Sequence, residues 1–369
     1  MRGCRGDAED APAGVPATRE APAPAIRVTI GAAVNRVARR RPAGGLERRG
    51  VMAFAPAPEP RRHGLRPGAV ARSPHMDRTI GNVTVVLGDK NGKYPHGNSV
   101  VVRGSRVAAV LDPSLALVER SGEFREAADL VVLSHVHEDH VAGVHLFPHA
   151  EVHAHREDAP GMRSLDGLLA IYGYESPSPE LLADWVIRTF HYEARPDARA
   201  FEDGDTFDLG GSTIRVFHLP GHTRGHSVLL VEPEGVLFLG DIDLTGFGPY
   251  YGDAWSNLED FERSLERIAS IPATTWVSFH HVGVVTDRAV FDEKLARFAG
   301  RIRERDEAIE QFLAEPRTID EMVVHRFLYP PHATLPFVDA VERRTIEQHL
   351  ARGIAHGRII RDAESYRRA

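Results

Sequence analysis

Metal-ligand residue types recur directly after short buried-strand patterns, and this recurrence limits the possible folds more than any other feature of the chain. The apolar run Leu130-Val131-Val132-Leu133 leads into Ser134-His135-Val136-His137-Glu138-Asp139-His140. The run 214–219 leads into Pro220-Gly221-His222-Thr223-Arg224-Gly225-His226, the run 236–239 into Gly240-Asp241, and the run 275–279 into His280-His281. An earlier run ends at Leu111-Asp112-Pro113. If these runs are strands of layered sheets, their ends gather on one edge, where open α/β folds place their sites.

The chemistry of the first cluster is specific. His135, His137, Asp139 and His140 put imidazole and carboxylate groups into a single turn, and those ligands suit zinc and non-haem iron. A solvated turn explains one such histidine. Four such groups packed together without a cation would lose their hydration for no return. Alternation along the turn lets His135 and His137 meet one cation while Asp139 and His140 face a second. The only cysteine is Cys4, so no intrachain disulfide forms and any metal site rests on His and carboxylates.

The rest of the chain frames that core. Residues 1–75 hold 14 Arg, no Lys and 6 acidic residues in an Ala/Pro/Arg/Gly background without strand or helix periodicity. They read as a disordered tail or a misassigned start, with Met52 and Met76 as alternative starts. The whole chain carries −7, which leaves −15 on the remainder and argues against phosphate-backbone binding. Residues 76–286 read as one catalytic α/β domain, with further strands over 83–87, 99–102 and 107–111 and helices over 163–170, 179–190 and 258–271. Residues 287–369 read as a helical region, with helices over 287–313, 318–327 and 338–354 and a closing strand at Ile359-Ile360, a small winged-helix-like appendage. No apolar run is long enough for a transmembrane helix. The lack of a secretory apolar segment and of a second cysteine points to the cytoplasm.

The ordered series His-x-His-x-Asp-His, Gly-His-Thr, Gly-Asp and a late His resembles the metallo-β-lactamase superfamily over about residues 80–285. The resemblance implies an αββα sandwich, two facing β-sheets with helices outside. It also implies that His135, His137 and His222 bind a first metal, and that Asp139, His140 and one of His280 or His281 bind a second. Asp241 would bridge the two. His281 is favoured as the last ligand, because the family often ends this strand with Gly-His and His280 stands at the Gly position. Asp112 and His226 match supporting positions, and Glu138 is expected to point away. His145, His149, His153 and His155 follow no ligand pattern of the family and read as structural.

Asp241 and the stretch from Asp203-Gly204-Asp205 to Gly221-His222-Thr223 look like the glyoxalase II-like and general hydrolase branch, not the antibiotic-hydrolysing enzymes. The function implied is hydrolysis of an ester, thioester or lactone of a small molecule. Two zinc ions per chain would share a bridging hydroxide, and Asp139 would orient it or pass a proton. A mononuclear iron persulfide dioxygenase of the same fold is the alternative, and a ribonuclease or phosphodiesterase is a third. The C-terminal helices could also serve a homo-oligomer. Substrate choice should lie in the helical segment 161–190 and in the loop carrying Tyr250 and Tyr251. No counterpart of the basic glutathione-binding residues of glyoxalase II is found.

Overall fold

The computed structural model describes residues 25–26, 77–124, 128–333 and 335–369. The expected tail over 1–75, apart from residues 25–26, and both alternative starts, Met52 and Met76, lie outside the described residues. One two-residue strand, β1 (Ala25–Ile26), stands apart in sequence. Seven strands then form the first sheet in chain order: β2 (Arg78–Ile80), β3 (Val83–Val86), β4 (Ser99–Arg103), β5 (Ala108–Leu111), β6 (Leu130–Val132), β7 (Glu151–His155) and β8 (Arg199–Phe201). The second sheet has β9 (Thr206–Asp208), β10 (Thr213–His218), β11 (Ser227–Glu232), β12 (Val236–Phe238), β13 (Thr275–Val277) and β14 (Val284–Val285), with β1 parallel to β9 at its edge.

The period of two assigns each face. Val83, Val85, Val100, Val102, Leu130 and Val132 point between the sheets, against Phe207, Ile214, Val216, Val231 and Phe238. Their neighbours Val86, Val101 and Val131 point outward into a second core. That outer core is closed by α4 (Ala159–Arg163), α5 (Leu165–Tyr172) and α6 (Pro179–Phe190), which follow the short turns α1 (Asp89–Gly92), α2 (Leu115–Glu119) and α3 (Ser121–Phe124). On the far side, α7 (Leu258–Ile268) and α8 (Arg288–Phe312) cover Val228, Leu230, Leu237 and Trp276. The result is the expected αββα sandwich.

Pairing is antiparallel from β2 to β5 and parallel from β5 to β8. β12 and β13 are also parallel. The loops after β6, β10, β12 and β13 therefore leave the sandwich at one edge.

Several details differ from expectation. The helix foreseen over 163–170 is two helices, because Ser164 is extended (φ −154°, ψ 152°) and its side chain accepts from Gly167 N to cap α5. Strands β7, β8, β9, β11 and β14 were not foreseen. β11 has the unbroken apolar run 228–231 between Ser227 and Glu232, which periodicity alone does not tell from a buried helical turn. Asp287 caps α8, a single helix of 25 residues that runs from the second sheet into a fourth core with α9 (Ile319–His325) and α10 (Val338–Ala355). The closing strand is a hairpin, β16 (Ile359–Asp362) and β17 (Ser365–Arg368), and β15 (Arg317–Thr318) pairs with β17. Among the described residues no helix is long and apolar enough to cross a membrane.

His153 on β7 is 1% exposed and its ring meets Phe207 edge-on at 5.0 Å. Burial, assisted by Arg199, pushes its pKa down to about 4. In the unfolded chain it titrates near 6.5, so between those values the unfolded state binds the extra proton and stability falls as pH falls. The variant His153→Leu is expected to lose less stability than the parent between pH 6.5 and about 4, read as urea midpoints at a series of pH values.

Candidate metal centre

The site is built from the support outward. Asp112, at the end of β5, accepts from Ser134 N at 2.6 Å, Ser134 Oγ at 2.5 Å and His140 Nδ1 at 2.6 Å. The Ser134 hydroxyl proton is thereby committed, and its oxygen accepts from His135 Nδ1 at 3.0 Å. One buried carboxylate thus orients two imidazoles. His137 Nε2 lies 3.0 Å from Asp253 Oδ2, and His222 Nδ1 donates to Tyr250 O at 3.0 Å. His280 Nδ1 donates to Gly92 O at 2.8 Å. In four of these histidines the outer nitrogen is hydrogen-bonded to an acceptor and in His137 it faces the Asp253 carboxylate, and in each the inner nitrogen is left to face the site.

The inner nitrogens converge. His135 Nε2, His137 Nδ1 and His222 Nε2 lie 3.0–3.2 Å from one another. With their protons on the outer nitrogens, three lone pairs point at one space, an arrangement that fits a shared cation and is repulsive without one. Asp241 Oδ2 is 3.2 Å from His222 Nε2, while its Oδ1 is 2.9 Å from His140 Nε2 and 3.8 Å from His280 Nε2. Asp139 Oδ2 is 2.9 Å from His280 Nε2. Three groups able to hold a metal result: His135–His137–His222–Asp241, Asp139–His140–His280 and Asp112–His135–His140. In the third the Asp112 carboxylate is already taken up by His140 Nδ1 and Ser134, while Asp241 reaches both of the first two.

Electrostatics agree. Burial alone would raise Asp241, but His140, His222 and His280 hold its carboxyl well below the usual range. Burial alone would lower His137, yet Asp253 pushes it up to about 9. His280 is likewise pushed up to about 9, against its burial, by Asp241 and Asp139. Carboxylates that draw protons onto these rings in this way would hold dications in their place.

The last ligand position is corrected. His280, the first residue past Phe279, reaches Asp139, whereas the favoured His281 sits at φ 61° and is exposed at the rim. A second correction concerns Glu138. It is buried, accepting from Tyr94 Oη at 3.0 Å and from Tyr172 Oη, and it lines the cavity over the site. Of the loop tyrosines, Tyr250 lines that cavity and contacts Asp253 at 3.2 Å. Tyr251 does not: it is fully buried, its hydroxyl accepting from Arg305 Nη1 and meeting His349 Nε2. Arg305 also donates to Pro249 O and Phe247 O, so α8 anchors the whole loop.

The supporting positions hold as geometry. His226, whose pKa burial and His222 lower to about 3, donates from Nδ1 to Leu219 O and accepts from Asp241 N at Nε2. Gly221 takes φ 132°, and a Cβ there would stand 2.3 Å from the Phe261 backbone, so only glycine lets α7 pack under His222. Asp253, Tyr94, Tyr172, Tyr174 and Asp158 were missed. Asp158 accepts from Thr223 Oγ1 and Gly225 N, fixing the turn that carries His222. Each is a single residue far from the motif it serves, and no spacing signals it. The cavity is about 440 Å3, with His137, Asp139, His222, Asp241 and His280 at its floor and no Lys or Arg among its described lining residues.

This chain belongs to the metallo-β-lactamase superfamily, whose model matches residues 92–281, a span that includes both ligand groups. It is 29% identical over 204 residues to the acyl-coenzyme A thioesterase MBLAC2 of Homo sapiens, covering 48% of this chain and 70% of that one. It is 26% identical over 218 residues to a hydroxyacylglutathione hydrolase of Aeromonas salmonicida (strain A449), covering 57% and 68%. A metallo-beta-lactamase family protein from Thermus thermophilus shares the fold at TM-score 0.60 and 24% identity, over 78% of this chain and 99% of that one.

Two substitutions test the assignments. His280→Ala is expected to lower metal bound per chain or its affinity, while His281→Ala leaves both unchanged, read by elemental analysis after dialysis. Asp253→Ala, which frees His137 Nε2, should weaken metal retention by about 10- to 100-fold against a competing chelator.

Proposed function

We propose that this protein is a dinuclear zinc hydrolase of thioesters. The observation that carries the reading is the floor of the cavity: two His/carboxylate groups joined at Asp241, beneath walls without a described lysine or arginine. A complete second group supports hydrolysis over mononuclear iron oxygenation. Walls without a described cation at the floor favour a neutral reacting carbonyl over the charged reacting centre of a phosphodiester. The names of two relatives, an acyl-coenzyme A thioesterase and a hydroxyacylglutathione hydrolase, point to the same class of bond.

Zinc bound there would supply a Lewis acid for the carbonyl oxygen and a water acidic enough to attack near neutral pH. The chain supplies the rest. Asp253, Tyr250 O, Gly92 O and the Asp112–Ser134 pair hold the imidazoles in the tautomer that leaves the inner nitrogens free. Asp139 is buried, with Oδ2 turned toward His280 Nε2 in the second ligand group, which leaves Oδ1 to hold the proton of the attacking water. That proton then goes to the leaving sulfur. A thiolate is a good leaving group, which asks little of the acid.

The test is metal content and turnover on one preparation. About two zinc ions per chain and hydrolysis of coenzyme A thioesters are expected, with Asp139→Ala lowering kcat by about 10²- to 10⁴-fold. One iron per chain with oxygen uptake on persulfides, or zinc-loaded protein inert to thioesters, would overturn the reading.

A further inference from the structure

A continuous arc of aromatic rings begins at one ligand group and ends at the other, and all of its rings except the buried Phe190 line the cavity. Tyr172 stacks on His137 at 5.3 Å, Tyr174 follows at 5.6 Å, and Phe337 stacks on Tyr174 at 6.2 Å. From the other side Tyr94 lies 6.1 Å from His280, Phe190 lies 6.2 Å from Tyr94, and Trp185 meets Phe190 edge-on at 5.0 Å. The two arms join where Trp185 and Phe337 approach to 6.0 Å, midway along the arc.

The arc changes chemistry along its length. Next to the floor it carries phenols whose protons are committed: Tyr94 and Tyr172 donate to Glu138, and Tyr174 donates to Asp253. At the midpoint it carries only hydrocarbon and indole, with Leu182 one helical turn before Trp185 and Leu335 beside Phe337. A substrate whose reacting carbonyl lies over Asp241 would therefore meet polar oxygens first and apolar surface beyond. Leu182 and Trp185 come from α6, within the segment expected to set substrate choice. Leu335 and Phe337 come from the C-terminal region, just before α10.

We propose that Trp185 and Phe337 set the acyl specificity of the site, which takes thioesters of uncharged, apolar acyl groups long enough to reach them. This rests on the thioester reading for the bond that is cut, but the recognition of the acyl group is a property of the walls. Burial of each methylene against such a wall tightens binding by about fourfold.

The experiment uses the full zinc-loaded chain and non-hydrolysable S-alkyl coenzyme A thioethers, from ethyl to octyl, titrated by calorimetry. Matching acyl-coenzyme A thioesters are assayed in parallel. Affinity is expected to rise about fourfold per methylene until the cavity is full. Phe337→Ala and Trp185→Ala should each cut the octyl-to-ethyl preference by about tenfold or more, and Phe337→Leu should retain part of it. Zinc content per chain is the check that each variant is folded. A flat series in the parent protein, or variants that keep its slope, would overturn the proposal. A graded series without hydrolysis of any thioester would support the acyl wall and overturn the thioester reading. Hydrolysis with no grading would overturn the acyl wall alone.

Discussion

The centre depends on where five imidazoles keep their protons. Each outer nitrogen is held by an acceptor built into the framework: Asp112 for His140, Asp112 through Ser134 for His135, and Asp253, Tyr250 O and Gly92 O for the others. Were any ring to turn, its proton would enter the space where the lone pairs meet. The acceptors come from the end of β5, the loop after β12 and the turn at α1, so both sheets must be in register before the site exists. The inter-sheet core of alternating valines is in this sense part of the metal chemistry.

Much of this was legible. The strand runs before Ser134, Pro220, Gly240 and His280 were clear from apolar length, and their ends meet at one edge, as the recurrence implied. The ligand-type residues His135, His137, Asp139, His140, His222 and Asp241 form the two groups at the cavity floor together with His280, one of the two histidines named for the last position. What the sequence could not express was direction. The pair His280-His281 is symmetric in composition, and only the left-handed turn at His281 decides which ring faces inward. Glu138 reads as a solvated neighbour until the rings of Tyr94 and Tyr172 are seen to close over it. Asp253 and Asp158 act across long separations on single bonds, which leave no periodic trace.

The C-terminal region shows the same limit at larger scale. Its helices were evident from their apolar spacing, but their relation to the site was not. α8 passes from the second sheet into the last core without interruption and carries Arg305, which binds Pro249 O, Phe247 O and the Tyr251 hydroxyl. A buried guanidinium with several fixed acceptors is a rigid clamp. It holds the loop whose Tyr250 carbonyl in turn fixes His222.

The arc of rings separates two kinds of inheritance within one active site. The metal-binding floor is made at the ends of sheet strands, where any shift disturbs several ligands together. The apolar midpoint is made by one residue from α6 and one from the segment before α10, neither bonded to a ligand residue. On the proposed acyl wall, exchanging those two side chains would change what the site accepts without touching a ligand residue.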